Sequence, residues 1–367
     1  MALGEGIYVD RVILGLESSC DETAVAVVAA GSHVLGEAVA SSAALQARYG
    51  GVVPEVAARE HVAVLPALVE AALADAGLSG ADLDAIAVTV GPGLLGSLLV
   101  GMSAAKALAV AWRRPLIAVN HLEAHLAANA LVGPVVLPAL ALLVSGGHTG
   151  LWLWRTDGEF ERLGETRDDA AGEALDKGAR LLGLGYPGGP AVEALARTVD
   201  GPGSRRLPVA RLSDNALDFS FSGLKTALAQ GLAQDPDEPA RWAWALEEAV
   251  VTALVERVAA AHARYPVGQL YVAGGVAANR RLRERLSAWA AESGVTVGMP
   301  PPRYCTDNGA MVAAAAAFRW ERAGRLPAAP LTVAPDTLLE LGHRFEAAEP
   351  DPMRPPDGAR LHSQQTT

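Results

Sequence analysis

ALALLVSGGHTGLWLW, residues Ala139 to Trp154, is an apolar strand, a polar turn and a second apolar strand. The same plan occurs near the start of the chain, where the strands Val12 to Leu16 and Thr23 to Ala29 flank the polar turn Glu17 to Glu22. A fold that opens each half with such a hairpin is typical of a duplicated nucleotide-binding architecture. We expect the two turns to cup a phosphate from opposite sides of a shared cleft, although the first turn alone is also typical of an ordinary acidic loop.

The chain length indicates two domains, because 367 residues exceed a typical single core. The segment Gly133-Pro134 separates the two hairpin-containing halves and is the predicted boundary. We therefore predict an α/β protein with domains at residues 1–133 and 134–330. The Pro-rich, polar stretch 331–367 is predicted to be a partly disordered tail.

Composition limits the classes of function. The net charge of −11 argues against non-specific nucleic-acid binding, so any RNA contact must be local. Arginines cluster in a Gly/Pro-rich segment, where they fit either RNA phosphates or a solvated loop: Arg197, Arg205, Arg206 and Arg211. Two cysteines give no disulfide framework and indicate a reducing compartment.

Two segments were considered as a secretory signal or a membrane span, and neither has the pattern of one. Met1 to Asp10 carries acidic residues and lacks the apolar core of a secretory signal. Ile86 to Trp112 is interrupted by Gly91-Pro92-Gly93 and contains Lys106, so we interpret it as a buried strand, a tight turn and a buried helix. We expect a soluble, cytoplasmic protein.

A candidate metal site follows the apolar run Pro115 to Val119. The sequence NHLEAH, Asn120 to His125, places His121 and His125 one turn apart on one helix face, where both imidazoles can hold one ion. Glu123 lies two positions after the first histidine, about 200° round the helix, so it cannot serve as the general base of a zinc protease. An i, i+4 histidine pair without a metal, on a solvated helix face, is the alternative.

Two glycine-rich corners and one further histidine complete the pattern. Gly91-Pro92-Gly93 sits between a strand and a helix, which suits close approach of a ligand or tight helix packing. Gly274-Gly275 ends the strand Leu270 to Ala273, where an adenine or ribose commonly lies against backbone, or where the turn is simply tight. His61, inside the predicted helix Pro54 to Ala76, is expected to have no ligand role.

Taken together, the motifs resemble the bacterial tRNA N6-adenosine threonylcarbamoyltransferase family, a branch of the actin-like ATPase and sugar-kinase superfamily. The resemblance runs in family order from residue 12 to about 325. Its motifs are Gly15 to Thr23, Asn120 to His125, Leu143 to Thr149, Asp168 to Lys177, Tyr186 to Pro190, Phe219 to Lys225, Gly274 to Asn279 and Thr306 to Met311. The fold that this implies is a pair of duplicated actin-like (ribonuclease H-like) domains with a nucleotide cleft between them.

The resemblance also implies an activity and its residues. The family transfers a threonylcarbamoyl group from threonylcarbamoyl-AMP to N6 of the adenosine 3′ of the anticodon, in tRNAs that read codons beginning with A. The implied metal ligands are His121, His125 and Asp307, with the helix from about residue 307 closing the metal site. The implied adenylate contacts are Leu143, Val144, Ser145, Gly146, Gly147, Asp176, Gly189, Glu193 and Asn279; the family often has Asp at the position of Glu193.

Two histidines and a carboxylate suit Fe(II), with Zn(II) as the alternative, and leave positions open for a substrate oxygen. No residue is singled out as the general base; Glu17, Asp21 and Glu22 are candidates because their turn faces the expected cleft. Asp307 alone also fits a helix N-cap. Implied partners are tRNA, a non-catalytic paralogue and a small ATPase.

Three alternatives remain open: an ATP-dependent small-molecule kinase of the same superfamily, a metallopeptidase, and an inactive scaffold. The kinase would explain the phosphate-cradling turns without the histidine pair. The peptidase lacks a correctly placed glutamate, and a scaffold would have no need of His121 and His125, which are present.

Overall fold

Two five-stranded sheets form the framework of the protein, a computed structural model that describes residues 11–49, 51–212 and 215–343. The first sheet has the order β3-β2-β1-β4-β5 and the second has β10-β9-β6-β7-β8. The strands are β1 Val12–Glu17, β2 Glu22–Ala29, β3 His33–Ser41, β4 Ala85–Gly91, β5 Leu116–Asn120, β6 Ala139–Val144, β7 Thr149–Trp154, β8 Phe160–Glu165, β9 Gln269–Ala273 and β10 Thr296–Gly298.

Ten α-helices and four short 3-10 helices connect and cover these strands in the described residues. The α-helices are α1 Ala43–Gln46, α2 Pro54–Ala76, α3 Leu95–Trp112, α4 His121–Ala127, α5 Ala171–Leu181, α6 Gly188–Ala196, α7 Ser222–Gln234, α8 Pro239–Arg264, α9 Arg280–Ser293 and α10 Gly309–Ala323. The 3-10 helices are Ala47–Tyr49, Ala128–Leu131, Gly275–Ala278 and Pro302–Tyr304.

The two sheets repeat one topology, which confirms the predicted duplicated α/β class. In each, the first three strands form an antiparallel meander, and two later strands add in parallel to the first strand: β4 and β5 after β1, and β9 and β10 after β6. Tight turns suffice for the antiparallel pairs, whereas parallel pairs need helical crossovers. Both polar turns therefore lie at the end of a central strand, after Glu17 and after Val144.

The edge strands β3 and β8 were not predicted from the sequence. Strand β3 exposes most of its residues, and β8 reads FERLGE with only two buried residues, Leu163 and Gly164. Because neither carries an apolar run or a clear alternation, no strand pattern stands out from the surrounding turns.

Helix α3 differs from the buried helix that was predicted. Only one face is buried, through residues that include Leu98, Met102 and Ala105, because the helix lies on the sheet surface beside α2. Its outer face exposes Leu95 and Val110. By length and composition α3 is the one helix in the described chain apolar enough to cross a membrane, with a third of it buried in the fold.

Helix α10 brings the end of the chain back to the first sheet. It lies within the range predicted for the second domain, yet its alanines, Ala310 and Ala313 to Ala316, pack with Ile13, Ala26 and Ala85 on one face of that sheet. The opposite face is covered by α2 and α3. The first sheet is therefore a central layer between helices from both ends of the sequence.

Helix α4 lies between the two sheets. Its Leu122 and Leu126 pack against Leu143 and Trp154 of the second sheet, whereas Ala124 belongs to the cluster formed by α10 and the first sheet. The short helix thus places its other side chains at the junction of the two halves.

A C-terminal strap, residues 326–343, runs along the first sheet. Its backbone N–H groups at Ala329 and Asp336 donate to the carbonyls of Leu116 and Val90, each at 2.8 Å. The Asn120 amide donates to the carbonyl of Glu340 at 2.8 Å. These bonds attach part of the predicted tail to β4, β5 and the start of α4; Met1 to Asp10 and residues 344–367 lie outside the described residues.

Candidate metal centre and adenylate site

Three ligand atoms converge at the start of α4. Asp307 Oδ1 lies 3.1 Å from His125 Nε2 and 3.6 Å from His121 Nε2, and the three potential ligand atoms lie within 4.8 Å of one another. The helix begins directly after β5 because the Asn120 side chain accepts hydrogen bonds from the N–H groups of Leu122 and Glu123. The i, i+4 spacing then turns both imidazoles to the same side.

The position of Asp307 depends on close packing of Gly309, at the start of α10, against Gly15 in β1. A Cβ on Gly309 would lie 2.8 Å from the carbonyl oxygen of Gly15 in β1 and 2.6 Å from the backbone carbon of Val25. The start of α10 therefore touches the backbone of the central hairpin. The N-cap of α10 is Asn308, whose side chain accepts from the Met311 N–H, so the alternative of Asp307 as N-cap is wrong.

At His121 and Asp307, burial and the neighbouring charges shift the pKa in opposite directions, and the neighbouring charges together have the larger effect. Burial alone would lower the pKa of His121, but the carboxylates of Asp307 and Glu17 raise it to about 9. Burial would likewise raise the pKa of Asp307, but His121 and His125 lower it to about 2. The site therefore combines the ionised carboxylate of Asp307 with the His121 imidazole, which loses a proton when its nitrogen coordinates a cation.

The donor set fits a divalent transition metal. Metal–ligand bonds of about 2.0–2.2 Å place neighbouring ligand atoms about 3.0–3.5 Å apart, close to the spacing of Asp307 Oδ1 from the two imidazole nitrogens. Two histidines and one carboxylate are the donors of Fe(II) facial triads and of zinc sites with an open position. Glu123 stands apart: its Oε1 lies 3.9 Å from Arg319 Nε, and it is not one of the converging ligands.

The three candidate bases at the polar turn after β1 differ in their burial. Glu17 is fully enclosed; burial would raise its pKa, but the neighbouring His121 lowers it. Glu22 is only partly enclosed, and burial, Asp307 and Asp21 together raise its pKa to about 9. Asp21 and Glu22 are neighbouring acidic residues with partial access to solvent, whereas Glu17 has none.

His61 supports this turn, a role that the sequence analysis missed. It is completely buried, and its two ring nitrogens lie 3.1 Å from the Cys20 carbonyl oxygen and 2.6 Å from Thr23 Oγ1. Because a carbonyl only accepts, Nε2 carries the proton and Nδ1 accepts from the threonine hydroxyl. The available signal was its place in the buried stripe Ala57, His61, Leu65, Val69 and Ala72 of α2.

The glycines of the β4–α3 corner serve close packing of the same turn. A Cβ on Gly93 would lie 2.7 Å from the Ser19 carbonyl oxygen, and one on Gly101 would collide with Ser18 Oγ. Of the two uses expected for the glycines at this corner, the structure shows tight packing, in which the corner and α3 lie directly against the turn after β1.

The second polar turn lies at the edge formed by the carboxyl ends of β6 and β9. Leu143 and Val144 are buried strand residues, and Ser145 begins a turn in which Gly146 and Gly147 are exposed. Gly274 has φ +91°, and a Cβ there would lie 3.2 Å from the Ser145 Cβ. The two glycine-rich segments are therefore in contact, as expected for neighbouring parallel strands.

Asp176 of α5 contacts the first turn of α6, where the loop between the two helices ends. Asp176 Oδ1 accepts from the Gly188 N–H at 2.7 Å, and the Gly189 N–H also bonds to this carboxylate. Burial raises the pKa of Asp176. In this arrangement the carboxylate holds the loop and orients its backbone amides.

Glu193 and Asn279 contact each other directly. The Asn279 amide donates to Glu193 at 3.2 Å and to the buried Glu247 at 2.7 Å, while its oxygen accepts from the Leu282 N–H. Arg281 Nε completes the cluster at 2.7 Å from Glu247. Glu247 lies in the long helix α8 and carried no sequence signal of its own.

The arginine-rich segment is largely engaged with protein groups. Arg205 is only 9% exposed and pairs with Asp235 at 2.7 Å and Glu238 at 3.2 Å. Arg211 is 78% exposed and lies 3.4 Å from Glu256. Arg205 is therefore part of a salt-bridge cluster, and Arg211 belongs to the solvated loop.

Comparison with solved structures supports the fold. The chain is similar to HypF from T. kodakarensis, with a TM-score of 0.57 at 16% identity over 85% of this chain and 48% of that one. It is also similar to component A of (R)-2-hydroxyglutaryl-CoA dehydratase from Acidaminococcus fermentans, with a TM-score of 0.51 at 15% identity over 86% and 100%. Both are actin-like ATPase folds, which confirms the predicted fold class.

Sequence comparison is more specific. The family model for tRNA N6-adenosine threonylcarbamoyltransferase matches residues 33–314. Proteins of that name are 51% identical in Anaeromyxobacter dehalogenans, over 85% of this chain and 96% of the relative, and 47% identical in Bacillus subtilis, over 85% and 92%. The chain belongs to the tRNA N6-adenosine threonylcarbamoyltransferase family and is an enzyme of tRNA modification.

Proposed function

We propose that this enzyme takes its threonylcarbamoyl group from threonylcarbamoyl-AMP and transfers it to N6 of the adenosine 3′ of the anticodon, in tRNAs that read codons beginning with A. The observation that carries the proposal is the convergence of His121, His125 and Asp307 at the junction of two duplicated domains. A kinase of the same fold has no need of these donors. The polar turn after β1 offers candidate bases, and the glycine-rich turn after β6 offers backbone amides for a phosphate.

The metal that we propose for His121, His125 and Asp307 is Fe(II), with Zn(II) as the alternative, because both match the donor set. When bound, it supplies a Lewis acid for the carbamoyl carbonyl and a template for the donor. The lowered pKa of Asp307 keeps its carboxylate available for coordination at neutral pH.

The adenylate half of the donor has a set of candidate contacts in the second domain. Exposed backbone at Gly146 and Gly147 suits the phosphate, since amide N–H groups at the end of a strand bind anions. The Asp176–Gly189 loop and the Glu193–Asn279 pair suit the ribose and adenine. Leu143, Val144 and Ser145 form the strand end that presents this turn.

In the proposed reaction the N6 amine attacks the carbamoyl carbon, a C–N bond forms, and the bond from that carbon to the phosphate oxygen breaks with release of AMP. The amine proton goes to the carboxyl groups of Asp21 and Glu22, which are the two candidate bases with partial access to solvent. Because an aromatic exocyclic amine is a poor nucleophile, positioning of donor and acceptor provides much of the rate.

The partners that we propose are tRNA, a non-catalytic paralogue and a small ATPase, with the whole assembly in the cytoplasm. The net charge of −11 favours a composite tRNA site, because an acidic protein attracts RNA weakly by itself. A partner that contributes basic surface would compensate for that charge.

The test begins with anaerobic purification and elemental analysis, which should find about one Fe or Zn per chain. The protein is then incubated with threonylcarbamoyl-AMP, tRNA and the partner proteins, and the tRNA nucleosides are measured by mass spectrometry. Formation of N6-threonylcarbamoyladenosine supports the proposal. ATP-dependent phosphorylation of small molecules by metal-free protein, without modified adenosine, would instead identify the kinase.

The role of the acidic pair is tested with Asp21→Asn and Glu22→Gln. Loss of a general base typically costs about 10²–10⁴ in rate, so single-turnover transfer should slow strongly while metal content stays unchanged. Full activity in both variants would make the pair structural.

A further inference from the structure

Glu17 ends β1 with a carboxylate that lies entirely inside the protein. Its Oε1 accepts from the Ser19 N–H at 2.6 Å, and its Oε2 accepts from Thr89 Oγ1 at 2.5 Å. The same Oε2 lies 3.2 Å from His121 Nδ1. With no exposed surface and these three groups around it, the carboxylate cannot touch a substrate.

The bond to His121 has a direction. An ionised carboxylate only accepts hydrogen bonds, so the proton of this contact is on Nδ1 of the imidazole. Nε2, the other ring nitrogen, lies on the side of Asp307, 3.6 Å from its Oδ1, and offers its lone pair to a cation once its own proton is released. Such a carboxylate–histidine pair orients the ring and makes the coordinating nitrogen more basic.

We infer that Glu17 is the positioning residue of the metal centre, holding His121 in the Nδ1–H form so that Nε2 is the ligand. The inference rests on the proposed function, in which His121 binds the metal, and it removes Glu17 from the candidate bases. Thr89 in β4 and the Ser19 amide hold the carboxylate in turn, which ties the ligand to two strands of the first sheet.

The two candidate histidine ligands differ in the hydrogen bonds that their Nδ1 atoms make. His125 Nδ1 is buried without a hydrogen-bond partner among the described residues, so only packing and its Nε2 contact orient that ring. The other imidazole, His121, is oriented at Nδ1 by the Glu17 carboxylate and by Ser19 Oγ, which also lies 3.2 Å from that nitrogen. Loss of the carboxylate therefore leaves a neutral hydroxyl as the remaining partner of Nδ1.

The experiment compares Glu17→Gln with Glu123→Gln in the full-length protein. Glu123 is also a buried carboxylate, and it precedes His125 on α4, but it faces Arg319 instead of the ligands. Metal-free protein is titrated with Co(II) in competition with a chelator, and the visible spectrum of bound Co(II) is recorded. Glu17→Gln should bind Co(II) about 10- to 100-fold more weakly, with a changed spectrum, whereas Glu123→Gln should match the wild type.

Transfer activity adds a second distinction. If Glu17 acts through His121, excess metal should restore the rate of Glu17→Gln; if Glu17 were the base, the loss would persist at saturating metal. Equal Co(II) affinity and spectrum for wild type and Glu17→Gln would overturn the inference and leave the proposed function standing. Failure of the wild type to bind Co(II), Zn(II) or Fe(II) would overturn both.

A measurement on the wild type covers the case in which Glu17→Gln does not fold. In zinc-loaded protein with ¹⁵N-labelled histidine, long-range ¹H–¹⁵N correlations report which ring nitrogen carries the proton. The eight histidines can be assigned by comparison with single variants. His121 should have its proton on Nδ1 and its metal on Nε2, and the opposite arrangement would refute the inference.

Discussion

Replacing Gly309 by alanine should lower the metal affinity of the candidate site, although Gly309 is not itself a ligand. The added Cβ would lie 2.6 Å from the backbone carbon of Val25 and 2.8 Å from the carbonyl oxygen of Gly15, and it would also collide with the Ala26 nitrogen, whereas ordinary contact begins at 3.4 Å. All three neighbours are backbone atoms of buried strands, so no side-chain rotation relieves the overlap. The start of α10 must retreat from the hairpin by about 1 Å.

The magnitude follows from this retreat. Overpacking of this kind costs about 1–3 kcal/mol, which outweighs the gain of up to about 1 kcal/mol from replacing glycine in a helix. Asp307 lies two residues before Gly309, and metal ligands tolerate displacements of only about 0.2 Å. We therefore expect Zn(II) affinity to fall by at least about tenfold and the melting temperature to fall by several degrees.

The assay is Zn(II) competition with a chelator, accompanied by thermal unfolding of the metal-free protein. Gly223→Ala is the matched control, since Gly223 is in the first turn of α7 and a Cβ there meets nothing within 4 Å. That variant should keep its metal affinity and its stability. Wild-type metal affinity in Gly309→Ala would refute the claim that the glycine contact determines where Asp307 lies.

Three further predictions concern the same region. Asp307→Asn should leave the fold intact but reduce the metal content after anaerobic purification to a small fraction of the wild-type value, as measured by elemental analysis. The pKa of His121 is raised to about 9, so a metal must displace a proton below that pH: Zn(II) affinity should rise with pH up to about 9, by at most about tenfold per unit, as followed by calorimetry in buffers of different ionisation enthalpy. By the same linkage, the His121 contribution to the stability of metal-free protein is complete below pH 6.5 and is lost as the pH rises through about 9. His61→Phe should lower the free energy of unfolding by about 1–3 kcal/mol in chemical denaturation, because it removes the buried partner of the Thr23 hydroxyl and leaves the Cys20 carbonyl with only its bond from Ser97 Oγ among the described residues.

The sequence predicted those parts of the fold that local pattern determines. The two hairpins, α2 and the β5–α4 junction each carry an apolar run or period together with a capping or turn residue, and they occur where predicted. The exposed edge strands β3 and β8 carry no such pattern. The packing of α10 on the first sheet also has no local signature, because an alanine-rich helix fits many partners.

The same division holds for the candidate site. The histidine pair was visible because both members lie in one helix turn, whereas Asp307 was assigned from the family resemblance alone. The bond between Glu17 and His121 joins residues 104 positions apart, and Glu247 meets Asn279 across 32 positions. Buried polar pairs of this kind depend on the tertiary fold, so spacing in the sequence carries no trace of them.

The placement of α10 has a consequence for synthesis of the protein on the ribosome. The strands of the first sheet emerge before the helix that covers one of their faces, which begins about two hundred residues after the last of them. Until it arrives, the nascent polypeptide exposes an apolar sheet surface that includes Ile13, Ala26 and Ala85. We therefore expect folding of the first sheet to finish only after α10 has been synthesised, with holdase chaperones shielding that surface in the meantime.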